Sequence, residues 1–222
     1  MSSIVLSPGA TGAAAFTIEA PSTATSRVIT LPDATDTLVG KATTDTLTNK
    51  SIVATQLTGT VAAARMPAGS VIQVVQEIYP TAASAANQTG ATYSASGFTA
   101  TITPSNSSNK ILAFFTSTMG NTVSNSGMSV KMMRNIGSAG FTNTSTGIDI
   151  QQYFNVISTL AYLQFAFSFA VLDSPATTSS TIYNPHFYGS VGGPSGTAYL
   201  GGRSTDGLQY STSTITLMEV VA

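Results

Sequence analysis

The residues able to do acid–base or metal chemistry are few. His186, between Pro185 and Phe187, is the only histidine, and there is no cysteine. A zinc site or a Ser-His-Asp triad would need an unusual set of partners here. His186 therefore reads as a packed or loop histidine among aromatic neighbours. Glycan hydrolysis needs two carboxylates flanking the scissile bond. From residue 70 onward the acids are Glu77, Asp149, Asp173, Asp206 and Glu219. Asp173 precedes Ser174-Pro175 and reads as a turn former, and Asp206-Gly207 reads as a hairpin signal. Structural roles thus account for most of the acids. The chain reads as no enzyme, with a polysaccharide depolymerase as the least favoured alternative. Gly192–Gly196 and Gly201-Gly202 lack the strand-to-helix setting of a phosphate cradle. No catalytic, cofactor-binding or metal-binding residue is assigned. Tyr183, Tyr188, Tyr199 and Tyr210 offer rings for sugar stacking or, equally, for packing between subunits. No receptor-binding residue is assigned among them.

The element organising the rest is Thr159–Asp173, read as one long strand. Leu163, Phe165, Phe167, Phe169 and Val171 fall on alternate positions, with Gln164, Ala166, Ser168 and Ala170 between them. Side chains of a strand alternate between its faces, so one face is apolar and the other small and mixed. Such a strand needs a second sheet to cover it, which predicts the central strand of a β-sandwich. Ile150–Leu172 is uncharged and long enough to cross a bilayer. Its alternation, its amide and hydroxyl residues and the absence of flanking Lys/Arg argue against membrane insertion.

Further strands are expected over Ser70–Tyr79, apolar on both sides, and over Tyr93–Thr103, where Phe98, Ala100 and Ile102 share one parity. Lys110–Met119 and Gly127–Asn135 follow, the latter with Met128, Val130 and Met132 on one face. Ile148–Ser158 leads toward the main strand, and Thr197–Arg203 and Ser213–Val221 close the chain. Thr181–Ser190 is another, with Pro185 placing it at an edge or bulge. Thr81–Gly90, Pro104–Asn109, Asn135–Gly147 and Pro175–Ser180 read as loops or turns. About eight strands without a helical period predict an all-β fold, an antiparallel, jelly-roll-like sandwich.

Charged residues make up 8% of the 222, against roughly a quarter in ordinary globular domains. Apolar residues reach 42% and mean hydropathy is +0.23, so this is not the composition of a disordered chain. Low charge means that solubility rests on hydroxyls and amides, or that surface is buried in an assembly. Net charge is −1 with scattered basic residues, which gives no support to nucleic-acid binding. The N-terminus shows neither a basic region nor a sustained apolar run, so no signal peptide is read.

Residues 1–69 are thin in core-formers, with Phe16 their one aromatic residue. They carry a repeat: Thr-Asp-Thr-Leu-Val-Gly-Lys at 35–41 returns as Thr-Asp-Thr-Leu-Thr-Asn-Lys at 44–50, with an echo at 55–60. Leu38, Leu47 and Leu57 are near-evenly spaced, as in short β-units that bury their apolar row against copies of themselves. Val28–Leu31 reads as a short strand, and Ala62–Met66 as a helical turn halted before Pro67. The expected organisation is an attachment segment over 1–27, a fibrous stalk over 28–69 and a sandwich head over 70–222.

Taken together, several segments resemble a known family. Gly69–Val75, Ile102–Leu112, Leu172–Tyr183 and Ser213–Val220 resemble the C-terminal head of short fibre proteins of tailed bacteriophages, notably marine ones. Ile29–Lys50, with Leu-Pro-Asp-Ala-Thr-Asp-Thr-Leu and Thr-Leu-Thr-Asn-Lys, is similar to the stalk entry of many phage tail fibres. The resemblance implies a virion structural protein and a homotrimer with a jelly-roll-like head. It also implies docking on other phage structural proteins through the N-terminus and attachment to a host surface glycan or protein. A tail or baseplate fibre is favoured, and a capsid-surface head fibre or decoration protein is the alternative.

Overall fold

The computed structural model describes residues 25–26, 50–53, 55, 58–86, 92–123, 126–144, 154–156, 164–191, 196–203 and 209–222. The chain divides into two units, Met1–Leu57 and Thr58–Ala222. The strand expected at Val28–Leu31, Phe16 and Leu38, Leu47 and Leu57 of the repeat lie outside the described residues, as do Asp149 and Asp206. The second unit opens with a 3-10 turn, Ala63–Arg65, ending before Pro67 as its sequence predicts.

The fold is an antiparallel β-sandwich of jelly-roll-like character in which the chain repeatedly changes sheet. Among the described residues the first sheet holds β1 (Val71–Tyr79), β2 (Ala83–Ala86), β5 (Lys110–Asn121), β9 (Gln164–Asp173), β11 (Thr197–Leu200) and β12 (Ser213–Val220). The second holds β3 (Ser94–Ala95), β4 (Ala100–Ile102), β6 (Ser126–Ile136), β7 (Phe141–Asn143), β8 (Phe154–Val156) and β10 (Thr181–Val191).

The centre of the first sheet is β5. It pairs along one edge with β9, from Ile111↔Asp173 to Gly120↔Gln164. Its other edge is shared end to end by β12, over Lys110–Thr116, and β11, over Met119–Asn121. β1 lies outside β12 and β2 outside β11. Thus the strand expected at the centre, β9, pairs among the described residues with β5 alone. Its alternation is real: Phe167, Phe169 and Val171 are buried, whereas Ala166, Ser168 and Ala170 are exposed. Period 2 reports which face is covered and says nothing about which edges are hydrogen-bonded. Phe165 has the buried parity yet is exposed. β1 also differs from expectation. It is a border strand with Val74 and Ile78 exposed, not one covered on both faces.

In the second sheet β10 is central, flanked by β6 along its full length and by β4 and β3 on its other side. This corrects the edge position inferred from Pro185. The Pro185 carbonyl accepts a 3.0 Å hydrogen bond from the Ser96 N–H, so its nitrogen faces the β3–β4 side. There β3 ends at Ala95 and β4 starts only at Ala100. The missing N–H falls in the gap between two short strands, where no ladder bond is lost.

Two segments read as loops contain strands. Ala83–Ala86 pairs with β11, and Phe141–Asn143 pairs with Met133–Asn135 of β6. β8 pairs with β6, so Ile148–Ser158 contributes to the opposite sheet from β9. Between the sheets, Phe115 meets Phe167 and Phe169 edge-on at 5.6 and 5.8 Å, facing Met128, Val130, Met132 and Phe187. Phe98, Ala100 and Ile102 enter the same core with the parity the sequence predicts.

Candidate functional site

The described acids are occupied by structure. Asp173, at the end of β9, is wholly buried, which corrects its reading as a turn former. Arg134 Nη1 of β6 donates to its Oδ1 and Oδ2 at 2.6 and 2.7 Å, and Tyr183 Oη of β10 donates to Oδ2 at 2.8 Å. One carboxylate thus ties the first sheet to two strands of the second. Burial, then the adjacent Asp173 charge and hydrogen bond, raise the Tyr183 phenol far above its ordinary pKa, so it stays protonated and donates.

Glu219 of β12 is also buried. Its Oε1 accepts from Ser105 N–H at 2.7 Å, Ser105 Oγ at 2.8 Å and Asn109 Nδ2 at 2.7 Å. Gln73, with its amide nitrogen turned inward, donates to Glu219 Oε2 at 3.2 Å. The side chain pins the 104–109 turn onto the sandwich. Glu77 is exposed on β1. Neither buried carboxylate is placed to meet a substrate. Among the described residues no cluster of three or more His, Asp or Glu side chains gathers as a metal would require.

The four tyrosines differ in burial. Tyr183 and Tyr199 are buried, Tyr210 is exposed and lies against Gly202, and Tyr188 is half-buried on the outer face of the second sheet. Around Tyr188 that face carries a group the sequence did not reveal as a unit. Tyr93 stands edge-on to Tyr188 with centroids 4.8 Å apart, and its hydroxyl is 2.8 Å from Ser129 Oγ. Lys131 Nζ lies 4.3 Å above the Tyr93 ring and donates to Asn143 Oδ1 at 3.1 Å. His186, directly across the ladder from Lys131, packs on Phe141 at 5.1 Å. Burial first, and the Lys131 charge second, lower the His186 pKa, so the ring is neutral at pH 7. His186 thus lies within β10 with its ring packed against Phe141. Tyr93, Lys131, Phe141 and Tyr188 are spread over almost a hundred residues, and Phe141 and Asn143 sit in a stretch whose Gly, Ser and Asn content reads as loop.

The outer face of the first sheet is different in kind. Register places Val74, Met218, Leu112 and Leu172 in one row across β1, β12, β5 and β9. The next row is Gln76, Thr216, Phe114 and Ala170, and the next Ile78, Thr214, Thr116 and Ser168. These rows hold no charged residue. Val74 and Ile78 are each 58% exposed, Leu172 43% and Phe114 40%.

No protein-family model matches the chain, and no curated protein does. Among solved structures the chain is similar to VP2 of infectious bursal disease virus. With the Gt strain the identity is 11% and the TM-score 0.38, covering 75% of this chain and 43% of the viral one. With the Gx strain the values are 13% and 0.40, covering 75% and 42%. The VP2 subviral particle gives 11% and 0.38, again over 75% and 42%. The chain therefore spans less than half the length of these proteins. No helix among the described residues is long and apolar enough to cross a membrane.

Proposed function

We propose that this chain is the protomer of a homotrimeric structural fibre of a tailed-bacteriophage virion, in a tail or baseplate position, with the sandwich turned outward for host attachment. The observation that carries the reading is the uncharged middle of the outer face of the first sheet. Across the three rows from Val74 to Ser168, four strands present apolar, amide and hydroxyl side chains without one charge, Lys110 standing at the end of the same face of β5, and Val74, Leu112, Phe114 and Leu172 form its apolar part. A soluble monomer rarely leaves such a face bare, and a copy of the same chain covers it without burying an unpaired charge. The Leu-phased repeat preceding the sandwich calls for the same company of copies. The resemblance of the sequence to phage fibre heads supplies the biological setting. We read the role as binding and structural rather than hydrolytic, because Asp173 and Glu219 spend their oxygens on bonds within the fold.

Equilibrium sedimentation of the full chain at micromolar concentration tests the assembly, with a trimer expected and a stable monomer overturning it. Labelled virions imaged by electron microscopy test the place. Label on the tail supports the proposal, and label on the capsid replaces it with a head-fibre or decoration role. Particles without label remove the virion reading.

A further inference from the structure

We propose that the outer face of the second sheet is a binding site for a neutral sugar ring, centred on Tyr93, Tyr188 and Phe141. This deepens the host-attachment reading and rests on it. The rings are held in place before any ligand arrives. Tyr93 is fixed by its hydroxyl on Ser129, by the edge of Tyr188 and by the Lys131 ammonium above its face. Phe141, 37% exposed, is steadied by the His186 ring. Rigid aromatic surface loses little conformational entropy on binding, which favours its use for contact. A pyranose has an apolar C–H face and a rim of hydroxyls. It fits a ring platform bordered by amides and hydroxyls, because each half of the ligand then meets its own kind of surface.

The border here is Asn143, which is exposed. Its Oδ1 is taken by Lys131, while Nδ2 is left to donate to a sugar hydroxyl. Among the described residues the platform carries one cation, Lys131, which is engaged with the Tyr93 ring and Asn143, and His186 is neutral. The geometry therefore points to an uncharged hexose or N-acetylhexosamine unit rather than to an acidic one. The two outer faces divide the work: the flat aliphatic one suits a copy of the chain, the ringed one a ligand with polar edges.

The test titrates the full chain with neutral gluco-, galacto- and N-acetylglucosamine oligosaccharides, and with an oligouronate, using calorimetry and saturation-transfer NMR. Binding of at least one neutral probe is expected. Tyr188→Ala should weaken it about tenfold, the scale of one lost ring contact. Lys131→Gln should change it by less than about threefold, since its charge faces a ring and an amide. Thermal melts show whether each variant folds, and Asn143→Ala, at an exposed position, gives a second reading with an expected loss of severalfold. No binding by any neutral probe overturns the proposal. So does neutral binding indifferent to Tyr188→Ala and Asn143→Ala, or binding confined to the oligouronate and abolished by Lys131→Gln. A trimer by sedimentation alongside any of these results leaves the fibre reading standing without its sugar site.

Discussion

Asp173 shows how a residue's role depends on what lies across the core from it. Its carboxylate meets Arg134 and Tyr183 from two strands of the opposite sheet. Removing one partner of a buried pair leaves the other charge uncompensated. Asp173→Asn should lower the unfolding free energy by roughly 3–5 kcal/mol, measured by urea denaturation. Tyr183→Phe leaves the ion pair and removes one hydrogen bond to a charge, so a smaller loss of about 1.5–3 kcal/mol is expected. His186 gives a pH signature. Its folded pKa lies below the unfolded value of 6.5, so at intermediate pH the unfolded chain holds more protons. This contribution is fully present above pH 6.5 and is lost as pH falls toward the folded value. The melting temperature should fall between pH 7.5 and 5.5, and His186→Gln should flatten that slope. An unaltered slope in the variant would remove His186 as its source.

At the scale of elements, the inward parity is where packing free energy concentrates. Phe115, on the central strand β5, touches both Phe167 and Phe169. Phe115→Ala should cost about 3–5 kcal/mol, because the stacked strands collapse only partly into the space left. The turn after β11 is constrained by backbone. Gly201 has φ +74°, and a Cβ there would lie 2.9 Å from Ser213 Oγ and 3.0 Å from the Thr81 carbonyl oxygen. Gly201→Ala should destabilise by at least about 1–2 kcal/mol from the left-handed backbone alone. Thermal melts check both variants, and a neutral Gly201→Ala would show that the turn can relax.

At the scale of the whole molecule, the outer face of the first sheet governs the prediction. Leu112→Glu and Phe114→Glu place charge on outward positions of β5, away from the core. Each should shift a trimer toward monomer in sedimentation while far-ultraviolet circular dichroism stays that of a folded β-protein. A burial cost falls on the assembled state alone, since in the monomer the new carboxylate is hydrated. Retention of the trimer by both variants would move the subunit contact to another surface.

The alternation of apolar residues in β6, β9 and β12 is local, so the all-β class, the positions of these strands and their buried parity followed from the sequence alone, whereas β5, apolar on both parities and expected to be covered on both faces, leaves Phe114 exposed. Phe98, Ala100, Ile102, Met128, Val130 and Met132 point inward as their spacing demands. Even the separation of buried Tyr183 from half-buried Tyr188 was implicit in that parity. Strand order was not, because hydrogen-bonded edges depend on segments far apart in the chain. β9 and β5 exchange the central place for that reason, and Pro185 enters a middle strand because two short neighbours leave a gap. The Asp173 clamp and the cluster of Tyr93, Tyr188, Lys131 and Phe141 likewise exist only after folding. Their members come from different strands and, for Tyr93, from the segment just before β3, and they meet through pairing registers that no local pattern encodes.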